Sequence, residues 1–549
     1  MSRNHRPTND PPFRTVAALL ADHRRRTPGK PAIVDVERRV SMSFEELAHS
    51  VDAIARHLAR RGVTKGTRIV LADCDAPDKL LLWLGAWRLG AVVCPLDVPF
   101  IGEETARKLL DTIQPKLIVR PAEAAEAAQV AETAEAADTA VARVQARLAR
   151  FVSWTSRDGA TVPHRDDTFS LRHSSPDTTP LPDGATIYAP GDIASMCCTS
   201  GTTGIPKIVV YDHQSYWLNG LDSIDLLGSS RDDRMLEYRS FDWYSAQILS
   251  FIPFLQLGST LHVARRFSRS HFGEWIREQR ITLCAGVPTV LNMLLEAPLD
   301  VSADTFASLR AMTCSTAPLS PVQWARFEKH YGIRILNLYG SSEAGWMCGN
   351  RLQRRKPGTV GYPAAHISVD IVDANGLPCP VDVEGQVVVN GAKLALGVLQ
   401  PDGSLLPIRG APLFTRDIAS RDADGFVRMA ARMDDLIIRG GVKIVPQHIE
   451  DVMRMHPHVQ DVAALGVPDP LYGQETVCFV VMQPGTAANL EALRAHCRQQ
   501  LPREKMPKQI YAIATLPRSA RGKILRDALR RQWWGLVNSR PDPAEQEQE

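Results

Sequence analysis

From residue 44 to 62 the segment FEELAHSVDAIARHLARRG returns its apolar positions at helical spacing, with Leu47, Val51, Ile54, Ala55 and Leu58 on one face. Ser43 stands where an N-cap belongs and Gly62 just past the end, so a helix bounded by these two is expected. The pattern then changes. RIVLAD (68–73) is a continuous apolar run, a helical segment covers about 77–89, and AVVCPLD (91–97) is a second run. Strand, helix and strand in that order form a β-α-β unit, the signature of a parallel sheet.

Residues 121–150 are alanine-rich with interspersed glutamate and predict a packing helix, and the polar, proline-containing stretch that follows to about 190 predicts a loop. Short apolar runs and amphipathic helices resume with LHVA (261–264), HFGEWIREQR, ITLCAGVP and IRILNLYG (333–340), an alternation that fits a doubly wound α/β fold. From about 367 the turns DANG (373–376) and DADG (422–425) separate hairpin-like strands, which predicts a β-rich subdomain. Beyond 434 a compact α+β region of domain size is expected, with helices at 447–455 and 488–500. The last dozen residues, NSRPDPAEQEQE, have the composition of a disordered tail.

Composition narrows the class without naming it. A chain of 549 residues with 44% hydrophobic and 23% charged residues reads as a soluble, multidomain globular protein. A net charge of +3 and short, scattered arginine clusters such as Arg24 to Arg26 argue against general nucleic-acid binding. The ten cysteines form no C-x-x-C pair, and the adjacent Cys197 and Cys198 are poorly placed to bridge each other, so reduced thiols are expected. The N-terminus lacks an apolar signal core, and the best hydrophobic stretch, 80–96, is interrupted by Arg88. A cytoplasmic protein is the expectation.

The chemistry begins at TSGTTGIPK (199–207). Gly201 and Gly204 can take positive φ without a Cβ penalty, which lets successive backbone N–H groups converge on one anion. Thr199, Ser200, Thr202 and Thr203 add hydroxyls, and Lys207 supplies a point charge. The spacing is not that of a P-loop, which needs four residues between its glycines and Lys-Ser/Thr directly after the second. An ordinary Ser/Thr/Gly turn is the bland alternative.

Four more segments follow in order: NLYGSSEAG (337–345), FTRD (414–417), ARMDDLIIRGGVKIVPQHIE (431–450) and LPRSARGKILRDALR (516–530). Together with the loop they resemble the adenylate-forming, AMP-binding superfamily of acyl-CoA synthetases, nonribosomal peptide synthetase adenylation domains and firefly luciferase, from about residue 14 to 533. The resemblance implies ATP, Mg²⁺ and CoA, or the phosphopantetheine of a carrier protein, as cofactors. It implies a disordered N-terminus over 1–13, a large N-terminal AMP-binding domain over 14–433, a small mobile α+β C-terminal domain over 434–537 and a disordered tail over 538–549. The fold class is α/β, the large domain combining parallel α/β subdomains with a β-rich one.

Joining a carboxylate to the α-phosphate brings two anions together, so the site must neutralise both. By resemblance Lys523 bridges the two during adenylation and is the first catalytic residue. Glu343 ligates Mg²⁺, a hard cation that takes oxygen ligands shared with substrate phosphates. Ser342 keeps a hydroxyl for the α-phosphate where threonine is more common. Tyr339 covers the adenine ring, Asp417 accepts from the ribose hydroxyls, and Arg432 holds ribose and phosphate from the other side. Three positions depart from the family pattern: Arg416 and Ala431 stand where glycine is usual, and TCSTAP (313–318) replaces a glycine-richer stretch beside the adenine. Asp434 matches the hinge about which the C-terminal domain turns between half-reactions. Arg439, Gly440 and Gly441 would then approach the thiol channel, the glycines suiting close passage of a pantetheine arm or forming a simple β-turn.

The acid is read in this family by SFDWYSAQ (240–247), AGVPT (285–289) and GWMCG (345–349). Asp242 sits in a context that binds an ammonium in amino-acid-activating relatives, and it can equally be a helix N-cap or pocket wall. Trp243, Tyr244, Trp346 and Met347 offer apolar surface for a pocket or for plain core. The leading expectation is a stand-alone acyl-CoA ligase that makes acyl-CoA, AMP and diphosphate. A separate carrier protein as acceptor is the alternative, and a non-catalytic nucleotide-binding module is the reading from a different class.

Overall fold

The computed structural model describes residues 10–74, 76–121, 151–157, 160–168, 181, 188–199, 206–302, 304–317, 319–486, 488–518 and 524–538. The first helix read from sequence forms as Phe44–Arg60, with a complete capping box: the Ser43 hydroxyl accepts from the Glu46 N–H while the Glu46 carboxylate accepts from the Ser43 N–H. Its apolar face packs on Ala76–Trp87, a helix buried on every side from Pro77 to Trp87. That second helix is the crossover of the expected β-α-β unit, joining the parallel neighbours Arg68–Ala72 and Val92–Leu96.

Two nine-stranded mixed sheets make the bulk of the fold. In one, Arg68–Ala72 pairs in parallel with Leu117–Pro121 and Val92–Leu96, and Val92–Leu96 with Ile193–Cys198, after which Ile208–Asp212 turns back antiparallel. In the other, the parallel run Pro31–Asp35, Thr260–Val263, Arg234–Glu237, Leu283–Cys284, Ala311–Cys314 and Ile335–Ser341 ends in the antiparallel Gly345–Gly349. A largely shared apolar interior lies between them, rich in aromatic side chains such as Trp83, Trp87, Phe251 and Tyr216.

A four-stranded antiparallel sheet, Ser368–Val372, Gly385–Asn390, Leu413–Arg421 and Val427–Arg432, follows as the β-rich unit. Beyond the 3₁₀ turn Met433–Asp435 comes the α+β unit. Its long hairpin Val459–Asp469 and Gly473–Met482 carries Ile437–Arg439 and Gln509–Ala512, and it is covered by Pro446–Arg454, Leu490–Gln500 and Arg526–Asn538.

Three expectations change. The stretch to 190 is not all loop: Phe151–Arg157 and Ala160–Thr168 are strands, added antiparallel at the end of a sheet. The outermost strand contains Pro163, which an edge tolerates, and its polar composition hides it from a search for apolar runs. Residues 10–13 are packed: the Trp217 indole donates to the Pro11 carbonyl at 3.2 Å, Asp10 pairs with His366 at 2.8 Å, and Phe13 meets the rings of Tyr188, His213 and Trp217. The tail expected over 538–549 loses its first residue, because Asn538 still belongs to the C-terminal helix Arg526–Asn538. The alanine-rich segment 122–150, residues 1–9 and the tail 539–549 lie outside the described residues.

All ten cysteines are unpaired. Among the described residues no helix is long and apolar enough to cross a membrane.

Candidate active site

The strands on either side of the glycine-rich loop leave and re-enter their sheet at one point. Thr199 donates its N–H to the Lys207 carbonyl at 2.9 Å, and Lys207 donates its N–H to the Thr199 hydroxyl at 3.2 Å. These two bonds close a neck. Ser200, Gly201, Thr202, Thr203 and Gly204 lie outside the described residues, as does Lys523.

Four residues past the neck, Tyr211 reaches two motifs at once. Its ring stacks on Tyr244, with centroids 3.9 Å apart and planes at 13°, and its hydroxyl donates to the Ser342 carbonyl at 2.7 Å. The SFDWYSAQ segment and the YGSSE segment are thereby held by one side chain. Burial pushes the Tyr211 phenol well up, with charge at Glu343 among the further causes, so it remains a donor. Tyr216 stands edge-on to both rings and shares its hydroxyl with Ser195 and Gln247. The Gln247 amide in turn donates to the Phe241 carbonyl at 2.6 Å and opens a π-helical turn, Gln247–Phe251, a distortion frequent at functional sites.

Ser342 and Glu343 occupy the turn between Ile335–Ser341 and Gly345–Gly349. The turn needs Gly345: its φ is +66°, and a Cβ there would come within 2.0 Å of the Asn219 side-chain oxygen. That oxygen accepts from the Trp346 N–H at 3.2 Å, and Lys393 donates to the Trp346 carbonyl. The Glu343 carbonyl is held by the Ala395 N–H at 2.9 Å, while its carboxylate makes no hydrogen bond or ion pair among the described residues. A carboxylate fixed through its backbone and otherwise unspent suits a hard cation shared with phosphate.

Asp417 is gripped from two sides. Tyr339 donates its hydroxyl at 2.6 Å, and Arg432, its cross-strand partner, approaches the other oxygen at 3.3 Å. The Tyr339 phenol is raised, by burial first and by the Asp417 charge second. In TCSTAP the hydroxyl oxygens of Ser315 and Thr316 are buried without partners among the described residues, and Thr316 has a φ of +75°. Buried orphan hydroxyls on a strained turn fit a ligand that brings its own polar edge, as a purine does.

Residues 20–399 match the AMP-binding enzyme family, and residues 448–523 match the AMP-binding enzyme C-terminal domain. The chain belongs to the AMP-binding enzymes. The sulfoacetate–CoA ligase of Cupriavidus necator is 30% identical to it over 94% of this chain and 97% of that protein. The indoleacetate–CoA ligase of Aromatoleum aromaticum is 28% identical over 92% and 95%. Among solved structures, ATP-bound MatB from Rhodopseudomonas palustris matches the fold with a TM-score of 0.78 at 23% identity, over 94% of this chain and 98% of that one.

In this AMP-binding enzyme one departure from the family pattern, Arg416, acquires a contact. Arg416 bonds to the carboxylate of Asp434, within the 3₁₀ turn that links the β-rich unit to the α+β unit. Gly440 and Gly441, with φ of +54° and +84°, join Ile437–Arg439 to Val442–Ile444 as a two-residue hairpin turn, which demands positive φ at both positions. Arg439 is tied to Glu475 at 2.7 Å and lies over the Tyr472 ring at 4.2 Å.

The residues expected to read the acid divide. Tyr244 and Trp346 are buried, and Trp243 is half-buried at the N-cap of a three-residue helix with no side-chain cap bond. Asp242 caps no helix. Its carboxylate is taken by Lys79, at 2.6 and 2.7 Å, and by the Ser240 hydroxyl at 2.5 Å. An ammonium on the substrate would have to displace an ammonium already in place. Lys79, Tyr211 and Asn219 were not singled out in the sequence, and Gln247 entered only as the last residue of SFDWYSAQ.

Proposed function

We infer that this enzyme is an acyl-CoA ligase that activates a carboxylic acid with ATP, releases diphosphate, and passes the acyl group from the adenylate to the sulfur of CoA, releasing AMP. The observation that carries the reading is the end-to-end match to two CoA ligases, 97% and 95% of whose lengths are covered. The geometry agrees with an adenylate, because Tyr211 fixes the acid-side wall against the turn of Ser342 and Glu343.

In this reading the loop 199–207 grips the β- and γ-phosphates. Ser342 meets the α-phosphate, Glu343 holds Mg²⁺, Asp417 and Arg432 hold the ribose, and Tyr339 covers the adenine. Lys523 stabilises the forming mixed anhydride, and the C-terminal unit, from Asp434 onward, then turns to bring Arg439, Gly440 and Gly441 to the thiol. The ten unpaired cysteines favour a reducing compartment, the cytoplasm.

The test separates the half-reactions. Acid-dependent exchange of diphosphate into ATP measures the first, and thioester formation from a supplied acyl-adenylate and CoA the second. Lys523→Ala is expected to abolish exchange and spare thioester formation. Equal loss of both would overturn the two-state assignment, and exchange without thioester formation on free CoA would redirect the acyl group to a carrier protein.

A further inference from the structure

The pair Lys79–Asp242 serves none of the roles above. Lys79 stands in the first turn of Ala76–Trp87, after the strand Arg68–Ala72 of one sheet; Asp242 follows the strand Arg234–Glu237 of the other. Both therefore lie beyond the carboxyl ends of parallel strands, where open α/β sheets bind their ligands, and the pair bridges the two sheets there. Its surroundings are the acid side of the site. Asp242 directly precedes Trp243 and Tyr244, and its charge is felt at the Cys198 thiol, one residue before the loop neck.

Lys79 is out of place by ordinary packing. With Asp78 before it, it is one of two charged residues on a helix otherwise apolar and buried all round, and only 4% of its side chain is exposed. A buried ion pair offers no more stability than apolar side chains of the same volume, so stability does not account for it. The donors and acceptors are also unequal. Asp242 receives Lys79 on both oxygens and the Ser240 hydroxyl besides. The ammonium has three donors, and the third finds no acceptor among the described residues.

We propose that Lys79 is a specificity-determining residue whose unfilled donor receives a second oxygen anion, carboxylate or sulfonate, carried by a short acid substrate. The inference rests on the acyl-CoA ligase reading. An alkyl or indole tail offers no acceptor and would seal an undersupplied ammonium away from water, which costs its desolvation. An anionic oxygen takes the third proton in a charge-assisted bond. The two ligases similar to this chain act on acids of opposite kinds, sulfoacetate and indoleacetate, and a buried, Asp242-paired ammonium with a donor to spare sides with the first.

The experiment compares kcat/KM in the exchange assay for sulfoacetate and malonate against butyrate and indoleacetate. The wild type is expected to favour the acids with a second anion by about a hundredfold or more, since a site built to pair a polar group rejects analogues that lack it. Lys79→Met is expected to cut that ratio at least about tenfold. Because this change leaves Asp242 buried and unpaired, the double variant K79M/D242L, which removes both charges, is measured beside it, with thermal melts confirming that each is folded. A wild type that prefers butyrate or indoleacetate, or a double variant with an unchanged ratio, overturns the role of Lys79 and leaves the ligase reading standing. Exchange with no acid of any kind overturns the ligase reading, and this inference with it.

Discussion

Tyr339 and Asp417 meet through a 2.6 Å hydrogen bond across 78 residues of chain, so that an aromatic ring and a carboxylate from different sheets form one wall. The phenol holds one carboxylate oxygen while Arg432 lies beside the other. Tyr339→Phe keeps the ring and removes only the donor. A hydrogen bond to a charged group contributes about 1.5–3 kcal/mol, so KM for ATP is expected to rise about tenfold. KM for the acid should move far less. Steady-state kinetics with each substrate varied in turn checks this, and an unchanged KM for ATP would remove Asp417 from nucleotide binding.

Tyr211 makes a second cross-motif link, and its two functions can be separated. Tyr211→Phe retains the stack on Tyr244 but leaves the Ser342 carbonyl without its donor, a loss of about 1–3 kcal/mol if the group stays dry. Tyr211→Leu also removes the stack, worth about 0.5–1.5 kcal/mol more. Diphosphate exchange is expected to fall about tenfold in the first variant and further in the second. The thioester step from supplied adenylate should be less affected. Equal exchange rates in wild type and both variants would mean that Ser342 is positioned without Tyr211.

Much of the scaffold was legible because its signals are local. The cap at Ser43, the periodicity of Leu47 to Leu58 and the run RIVLAD each depend on near neighbours, and the hairpin at Gly440 and Gly441 is written in two residues. The site was legible as motifs and not as contacts. Nothing near Lys79 announces a partner 163 positions away, and Asp242 alone suggests a free carboxylate when it is in fact paired. Tyr211 stands in IVVYD with no motif to mark it, and an apolar run does not show the carbonyl that its phenol must find. The strands Phe151–Arg157 and Ala160–Thr168 were missed for another reason: at a sheet edge, polar residues and Pro163 cost little, so the apolar signal of a buried strand never develops.

Behind the strand Gly345–Gly349 lies a charged cluster whose contribution to stability depends on pH. Asp222 and Lys393 are fully buried and paired, and His366 links Asp222 at 2.7 Å to Asp10 at 2.8 Å. Asp222→Asn leaves the Lys393 charge uncompensated and is expected to cost about 3–5 kcal/mol, read by denaturant melts. For His366, burial works to lower the imidazole value, but the hydrogen bond and charge of Asp222, then those of Asp10, outweigh it and the net shift is upward. A raised value in the folded state means that the stabilisation is fully present below the ordinary histidine value of 6.5 and is lost as pH rises through the higher folded value. The melting temperature of wild type should therefore approach that of His366→Gln as pH climbs above neutrality and separate from it toward pH 6. A gap that widens with rising pH would contradict the assignment.

Arg416, where the family usually has glycine, reaches the carboxylate of Asp434 in the turn that leads to the α+β unit. The two side chains are 66% and 50% exposed, so the pair is worth at most about 1 kcal/mol and is screened by salt. That is too weak to hold the C-terminal unit in one position but enough to bias the proposed turn about Asp434. If turning limits the overall rate, wild-type turnover should rise with ionic strength as the pair is screened. Arg416→Gly should start higher at low salt, by less than about fivefold, and respond less to added salt. Stopped-flow measurement of the thioester step at low and high ionic strength provides the comparison, with the supplied adenylate bypassing nucleotide binding. Identical salt responses in the two proteins would show that the Arg416–Asp434 contact has no part in the motion.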